Sequence, residues 1–246
     1  MNTHRGMLKQ ITKLGLFLMM GVSMSAGAGL FGFGGTSWKE EVLLHDGKKM
    51  VVERSQTRGG RHEIGQEVPV AEHIISFKQP GTEQIVTWKS EYGTEIEKSS
   101  LLPLALDVVG GTPYIVATPA GCLAYNKWER PNPPYIVQKF DGKTWQRIPL
   151  SAFPTEIKEA NVVISALVGQ FERRLTGRSA PVPASEIRSI NTEARDPNVQ
   201  YLRVLVREPL KPGSPGVSCP DYNSPRYMSP KAPNPITSPP TGGGQQ

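Results

Sequence analysis

The sequence predicts a mainly β protein made of antiparallel hairpins, arranged as a sandwich or twisted sheet with one or two short helices. Three observations predict it. First, 25 Gly and 23 Pro together fill 48 of the 246 positions. That is about one residue in five against roughly 12% in ordinary usage, too many helix breakers for long helices. Second, between Trp38 and Leu150 short runs rich in Val, Ile, Tyr, Trp and Thr alternate with two-residue turn signals. Third, 37% hydrophobic and 20% charged residues provide for one moderate core and irregular segments, not for two large domains.

The first element is a targeting segment. Arg5, Lys9 and Lys13 precede the apolar run LGLFLMMGVSM, and small residues follow as SAGAG. This is the layout of a secretory signal peptide over residues 1–28. Ala26 and Ala28 carry the small side chains a signal peptidase accepts, which places cleavage between Ala28 and Gly29. No Cys follows the cut, against lipidation. The competing reading is an uncleaved signal anchor, the one way in which the sequence would engage a membrane. Residues 29–37 read as a Gly-rich linker.

Four hairpins come next. WKEEVLLHDGKKMVVERS pivots on Asp46-Gly47, HIISFKQPGTEQIVTWKSE on Pro80-Gly81, LLPLALDVVGGTPYIVATP on Gly110-Gly111, and PYIVQKFDGKTWQRIPL on Asp141-Gly142. Such turns match the twist of the strands they join. Hairpins do not stand alone in water, so the faces carrying Val42, Leu44, Val51, Ile75, Val86, Leu106, Val108, Ile115, Ile136 and Ile148 must bury one another. The hairpins pair into two units of about 50 residues, each near a propeller blade in size. A ring needs at least four blades, which excludes a closed propeller.

Residues 38–154 thus form the hairpin core of one domain that extends to 210. In the extension, NVVISALVGQFERRL reads as a short strand or a helix ending at Gly177. PVPASEIRSINTEAR reads as a helix starting at Ser185, and VQYLRVLVRE as a last strand. Arg173, Arg174 and Arg178 with Glu172 read as a solvated helix face. From Lys211 to Gln246, nine Pro, five Gly and five Ser predict a Pro-rich disordered tail.

The charge pattern narrows the function. Net charge is +6, but the signal segment carries three of these charges and the tail two, so the folded part is near neutral. That is no track for phosphates, and nucleic-acid binding is excluded as a reading. Export allows Cys122 and Cys219 to form a disulfide tying the tail to the core, worth up to about 4–5 kcal/mol in the chain-entropy model. The alternative is two unrelated thiols, one buried and one exposed.

Six of the 18 aromatic residues fall between Tyr114 and Trp145. The connection over residues 119–135, read as a long loop, therefore becomes the candidate binding surface. Tyr125 and Trp128 would stack on sugar or proline rings, Asn126 and Asn132 would hydrogen-bond, and Lys127 and Arg130 would meet an anion. The competing reading folds the aromatics back over the core. Here GGTPYIVATPAGCLAYNKWERPNPPYIVQKFDGKTWQRIPL resembles the signature of an uncharacterised family of exported proteobacterial proteins. The resemblance spans about Trp38 to Pro154, and it implies an envelope or secreted location but no activity. FDGKTW also resembles the Asp-box turn of sialidase-like propellers. It departs from that pattern in having Asp141 and Gly142 adjacent and Lys139 where Ser or Thr is usual, so Asp141 and Trp145 read as turn and packing residues.

Catalytic and metal sets are thin. HEIGQ at His62 lacks the second His four residues on that a zincin needs. His45, His62 and His73 read as solvated loop histidines. Asp107 is the sole Asp inside an apolar strand and reads as bonding the Gly110-Gly111 turn. The sequence therefore predicts no cofactor, no metal and no catalytic residue. It points to an exported, periplasmic or secreted module that binds an envelope protein or glycan, with a periplasmic hydrolase using a carboxylate such as Asp107 as the alternative. A third reading makes the Pro-rich tail itself the ligand of another envelope protein.

Overall fold

The computed structural model of the chain describes residues 35–59, 70–90, 101–164, 168–193 and 202–224, all within the unit that begins at Phe33. The signal segment with Ala28 and Gly29, His62, and the tail beyond residue 224 lie outside the described residues.

All four predicted hairpins form, and they build two four-stranded antiparallel sheets. The first contains β1 (Thr36–Leu43), β2 (Lys49–Arg58), β3 (Val70–Lys78) and β4 (Ile85–Lys89). The second contains β5 (Leu101–Val109), β6 (Thr112–Pro119), β7 (Ile136–Phe140) and β8 (Trp145–Ile148). In each sheet the strands lie side by side in chain order. β1 reaches back to Thr36, two residues into the predicted linker. Gly110 and Gly111 carry φ of 57° and 79°, the left-handed pair that a two-residue turn matching strand twist requires.

The sheets pack face to face. Val42, Val52, Ile75, Phe77, Val86 and Trp88 of the first meet Leu106, Ile115, Ala117, Ile136 and Phe140 of the second in one apolar cluster. The Trp88 indole donates to Gln138 (2.6 Å) and the Trp145 indole to the Thr87 carbonyl (2.9 Å) across that junction. Trp145 also packs on Phe140 while Asp141 accepts from the Lys143 and Thr144 amides, the turn and packing roles expected of both. Val51 does not join the core and is 48% exposed. Its neighbours Met50 and Val52 face inward, and strand side chains alternate.

The second sheet is buried on its other face too. Leu104, Ala105, Val116, Tyr135 and Val137 pack against Phe153, Ile157, Val163, Ile164 and two helices. These are α2 (Val168–Leu175), from the segment read as strand or helix, and α3 (Ala184–Glu193), from the predicted helix. The α2 arginines are more than a solvated face. Arg174 pairs with Glu186 and Glu193, and Arg178 pairs with Glu186, joining α2 to α3.

Two of the four edge strands, β1 and β5, are covered, which blocks edge-to-edge pairing there. On β1, the Glu41 amide donates to Val182 and the Val182 amide to Lys39, each at 2.8 Å. On β5, Asn161 accepts from the Leu106 amide and donates to the Leu106 and Leu43 carbonyls. The predicted last strand VQYLRVLVRE does not form among the described residues. Residues 203–205 make one bridge, Val204 to Glu159, flanked by two backbone bonds. Pro154 and the turn after it leave no straight partner for a ladder, and Arg207 instead donates to the Phe153, Pro154 and Ile157 carbonyls.

Candidate functional site

The 119–135 connection is not an open loop. It contains a short helix, α1 (Gly121–Lys127), whose end turns through Glu129 and Arg130 at φ of 65° and 52°. Left-handed backbone costs a non-glycine residue about 1–2 kcal/mol, and here the Glu129 amide donates to Asn126 and the Arg130 amide to Tyr125. Tyr125 and Trp128, expected to stack on a ligand, are only 4% and 8% exposed. Trp128 belongs to the inter-sheet core, and Arg147 and Arg130 lie over the faces of Trp128 and Tyr125. A large aromatic ring at the end of a short helix gains more by covering the core than by facing water.

The polar candidates are spent on the chain itself. Cys122 and Cys219 form a disulfide, and the segment leading to it lies along α1. Asn126 donates to the Pro220 carbonyl and accepts from the Tyr222 amide. Arg130 donates to the Cys219 and Pro220 carbonyls. Asn132 donates to the Leu210 carbonyl and accepts from its amide. Of the six candidates, Lys127 and Asn132 are exposed, and Asn132 is bonded on both sides to Leu210. Residues 211–224, assigned to the disordered tail, therefore form an ordered strap. It buries little apolar surface, so covalent closure and side-chain bonds to its backbone hold it in place.

A second region was not anticipated. At the turn between β1 and β2, the Asp107 carboxylate accepts from the His45 backbone amide (2.8 Å) and lies 2.8 Å from His45 Nδ1. It also accepts from the Val108 amide (2.7 Å). Asp107 is buried and does not bond the Gly110-Gly111 turn, whereas the His45 side chain keeps about a fifth of its surface. The hydrogen bond to Asp107 raises the His45 pKa above the ordinary imidazole value, and the charges of Asp107, Asp46 and Glu156 add to that rise. With Nδ1 engaged, Nε2 has no partner among the described residues and is left to donate or accept.

His45 and Asp107 open onto a cleft of about 270 Å³ between the β1–β2 turn, the 156–161 segment and the start of α3. Leu44, Ile157 and Ile187 make its apolar floor. Glu156, Lys158, Glu159 and Arg188 line it as charged groups, with Arg188 paired to Glu159 at 3.2 Å. Ser185 is not among the lining residues, and neither Ser, Thr nor Cys lines the cleft.

The third histidine corrects the solvated reading in a different way. His73 lies in β3 with 1% of its surface exposed, opposite Gln56 of β2. Among the described residues, both of its ring nitrogens and both Gln56 side-chain amide atoms lack hydrogen-bond partners. Burial, with the neighbouring Arg54 charge, pushes the His73 pKa down to about 3. On the same inner face, Arg54 and Glu40 form a buried ion pair (2.7 Å), completed by the Trp38 indole and the Val163 carbonyl and amide.

Among the described residues no group of His, Cys, Asp and Glu is placed to hold a metal ion, and no helix is long and apolar enough to cross a membrane. No protein-family model, no curated protein and no solved structure matches the chain.

Proposed function

We propose that the protein is an exported, non-enzymatic binding module of the bacterial envelope, and that it takes a small polar ligand or a polar group of a partner in the His45–Asp107 cleft. One observation carries this reading. Asp107 grips both the backbone and the ring of His45, so an imidazole that lines a partly charged cleft is held in a set orientation with one ring nitrogen unengaged among the described residues. Preorganised polar groups in a concavity are the general mark of a ligand site. The 119–135 segment, in this reading, anchors the strap. A sugar face is a poorer fit than a charged or hydrogen-bonding group, because no aromatic ring lines the cleft. Export rests on the signal-peptide layout of the sequence, and a persistent disulfide accords with it.

The test is a polar fragment library screened by ligand-observed NMR against the full mature chain and its His45→Ala and Asp107→Asn variants. Fragments that bind wild type and weaken at least tenfold in both variants support the cleft. A library in which every hit binds the variants equally well overturns it.

The hydrolase alternative has one observation in its favour: a carboxylate-oriented histidine is what a general base acting on water requires. Ester and peptide substrates turned over by wild type and spared by Asp107→Asn would establish it. Equal rates for the two proteins would end it.

A further inference from the structure

The cleft's charges point to a ligand class. Among the groups that line it, Asp107 is committed to His45, and Glu159 to Arg188. Glu156 and Lys158, two residues apart on the same wall, have no ion-pair partner among the described residues. The Glu156 charge reaches His45, since it contributes to the rise of that imidazole's pKa. Glu156 also feels the Arg207 charge, so the site offers one carboxylate and one ammonium outside any ion pair among the described residues, and between Asp107 and the cleft an imidazole that favours its cationic form.

Neither a simple anion nor a simple cation satisfies this set. An anion meeting Lys158 and His45 also meets Glu156, and a cation meeting Glu156 also meets Lys158. Glu156 and Lys158 are exposed at the mouth of the cleft, and there like charges brought together oppose binding as unlike ones favour it. A molecule carrying both signs a few bonds apart satisfies each group with its opposite. The volume of about 270 Å³ lies below the range for drug-sized ligands and suits a molecule of a few heavy atoms.

We infer that the His45–Asp107 cleft binds a small zwitterion of the α-amino acid type, its carboxylate on Lys158 and His45 and its ammonium on Glu156. This rests on the cleft being the ligand site. The Leu44, Ile157 and Ile187 floor accepts a short apolar side chain, so alanine is the natural probe.

The experiment follows the His45 ring signals of the full mature chain by NMR during titration with three probes of nearly one size. These are L-alanine, L-alaninamide, which keeps only the ammonium, and L-lactate, which keeps only the carboxylate. Saturable shifts with L-alanine at least tenfold tighter than with either half are the expected result. Lys158→Gln should reduce the preference over alaninamide, and Glu156→Gln should erase the preference over L-lactate. Equal binding of a half-probe, or no saturable shift with any of the three, overturns the zwitterion assignment. The fragment screen judges the cleft separately, because hits dependent on His45 stand whatever alanine does.

Discussion

The α1–strap region and the His45 cleft are both polar, and they differ in where their hydrogen bonds go. Along α1, Asn126, Arg130 and Asn132 give and receive bonds with the chain's own residues 210–222. At the cleft, Asp107 is committed to His45 and the Val108 amide, but His45 Nε2 and the side chains of Glu156 and Lys158 have no hydrogen-bond or ion-pair partner among the described residues. Composition marks the first region as the surface of interest, with its aromatics, amides and arginine. Hydrogen-bond accounting reverses that choice. Groups whose capacity is consumed internally stabilise the fold, and groups held in place with capacity to spare are the ones a ligand can use.

That contrast is open to attack from either side, and the largest expected effect lies in the strap. Replacing Cys122 and Cys219 by Ser removes a closure spanning 97 residues, worth up to about 4–5 kcal/mol in the chain-entropy model. Urea denaturation should show most of this loss, while the His45 ring signals stay put. A His45 shift in the double variant would show that the two regions are not independent.

Next in size is Trp128→Ala, which empties a buried ring site and should cost about 3–5 kcal/mol. The same urea curves would check it. A loss under 1 kcal/mol would return Trp128 to the surface and revive the aromatic contact reading.

His73 supplies a smaller effect of opposite sign. Its pKa in the fold is about 3 against roughly 6.5 when unfolded. The fold therefore favours the neutral ring, so His73 leaves stability untouched above about pH 6.5 and erodes it as pH falls toward 3. His73→Leu removes two unpartnered nitrogens and should gain about 1–3 kcal/mol at pH 7, with the gain widening on acidification. Stability curves of the two proteins that run parallel from pH 7 to 4 would contradict this.

Much of the fold was legible in the sequence, because hairpin turns are local. Asp46-Gly47, Pro80-Gly81, Gly110-Gly111 and Asp141-Gly142 each announce a reversal within two residues, and the strands flank them in order. The order of the strap was not legible. Pro-rich composition correctly reports that residues 211–224 bury little, but it is silent on bonds that Asn126, Arg130 and Asn132 make with this stretch and with Leu210 from 78 to 96 residues away. The cleft was invisible for a similar reason. His45 and Asp107 are 62 residues apart, one in the turn between β1 and β2 and the other in β5, and face packing of the two sheets brings them together. The lone Asp inside an apolar strand is the one signal, and in the sequence it points both to its own turn and to a carboxylate site, without naming His45 as its partner. His73 shows the converse: polar neighbours in sequence suggested solvent, yet period-two alternation with Ile75 and Phe77 already placed it on the inward face.

The most direct test of the cleft account is the His45 pKa, measured by NMR titration of the ring in wild type and in Asp107→Asn. The account predicts a value above the ordinary imidazole range in wild type, because the charged ring is held by the Asp107 carboxylate. It predicts a fall toward the ordinary value in the variant, with the β-sheet signals unchanged. Equal titration in the two proteins would mean that Asp107 does not set the imidazole, and the preorganised site would be gone.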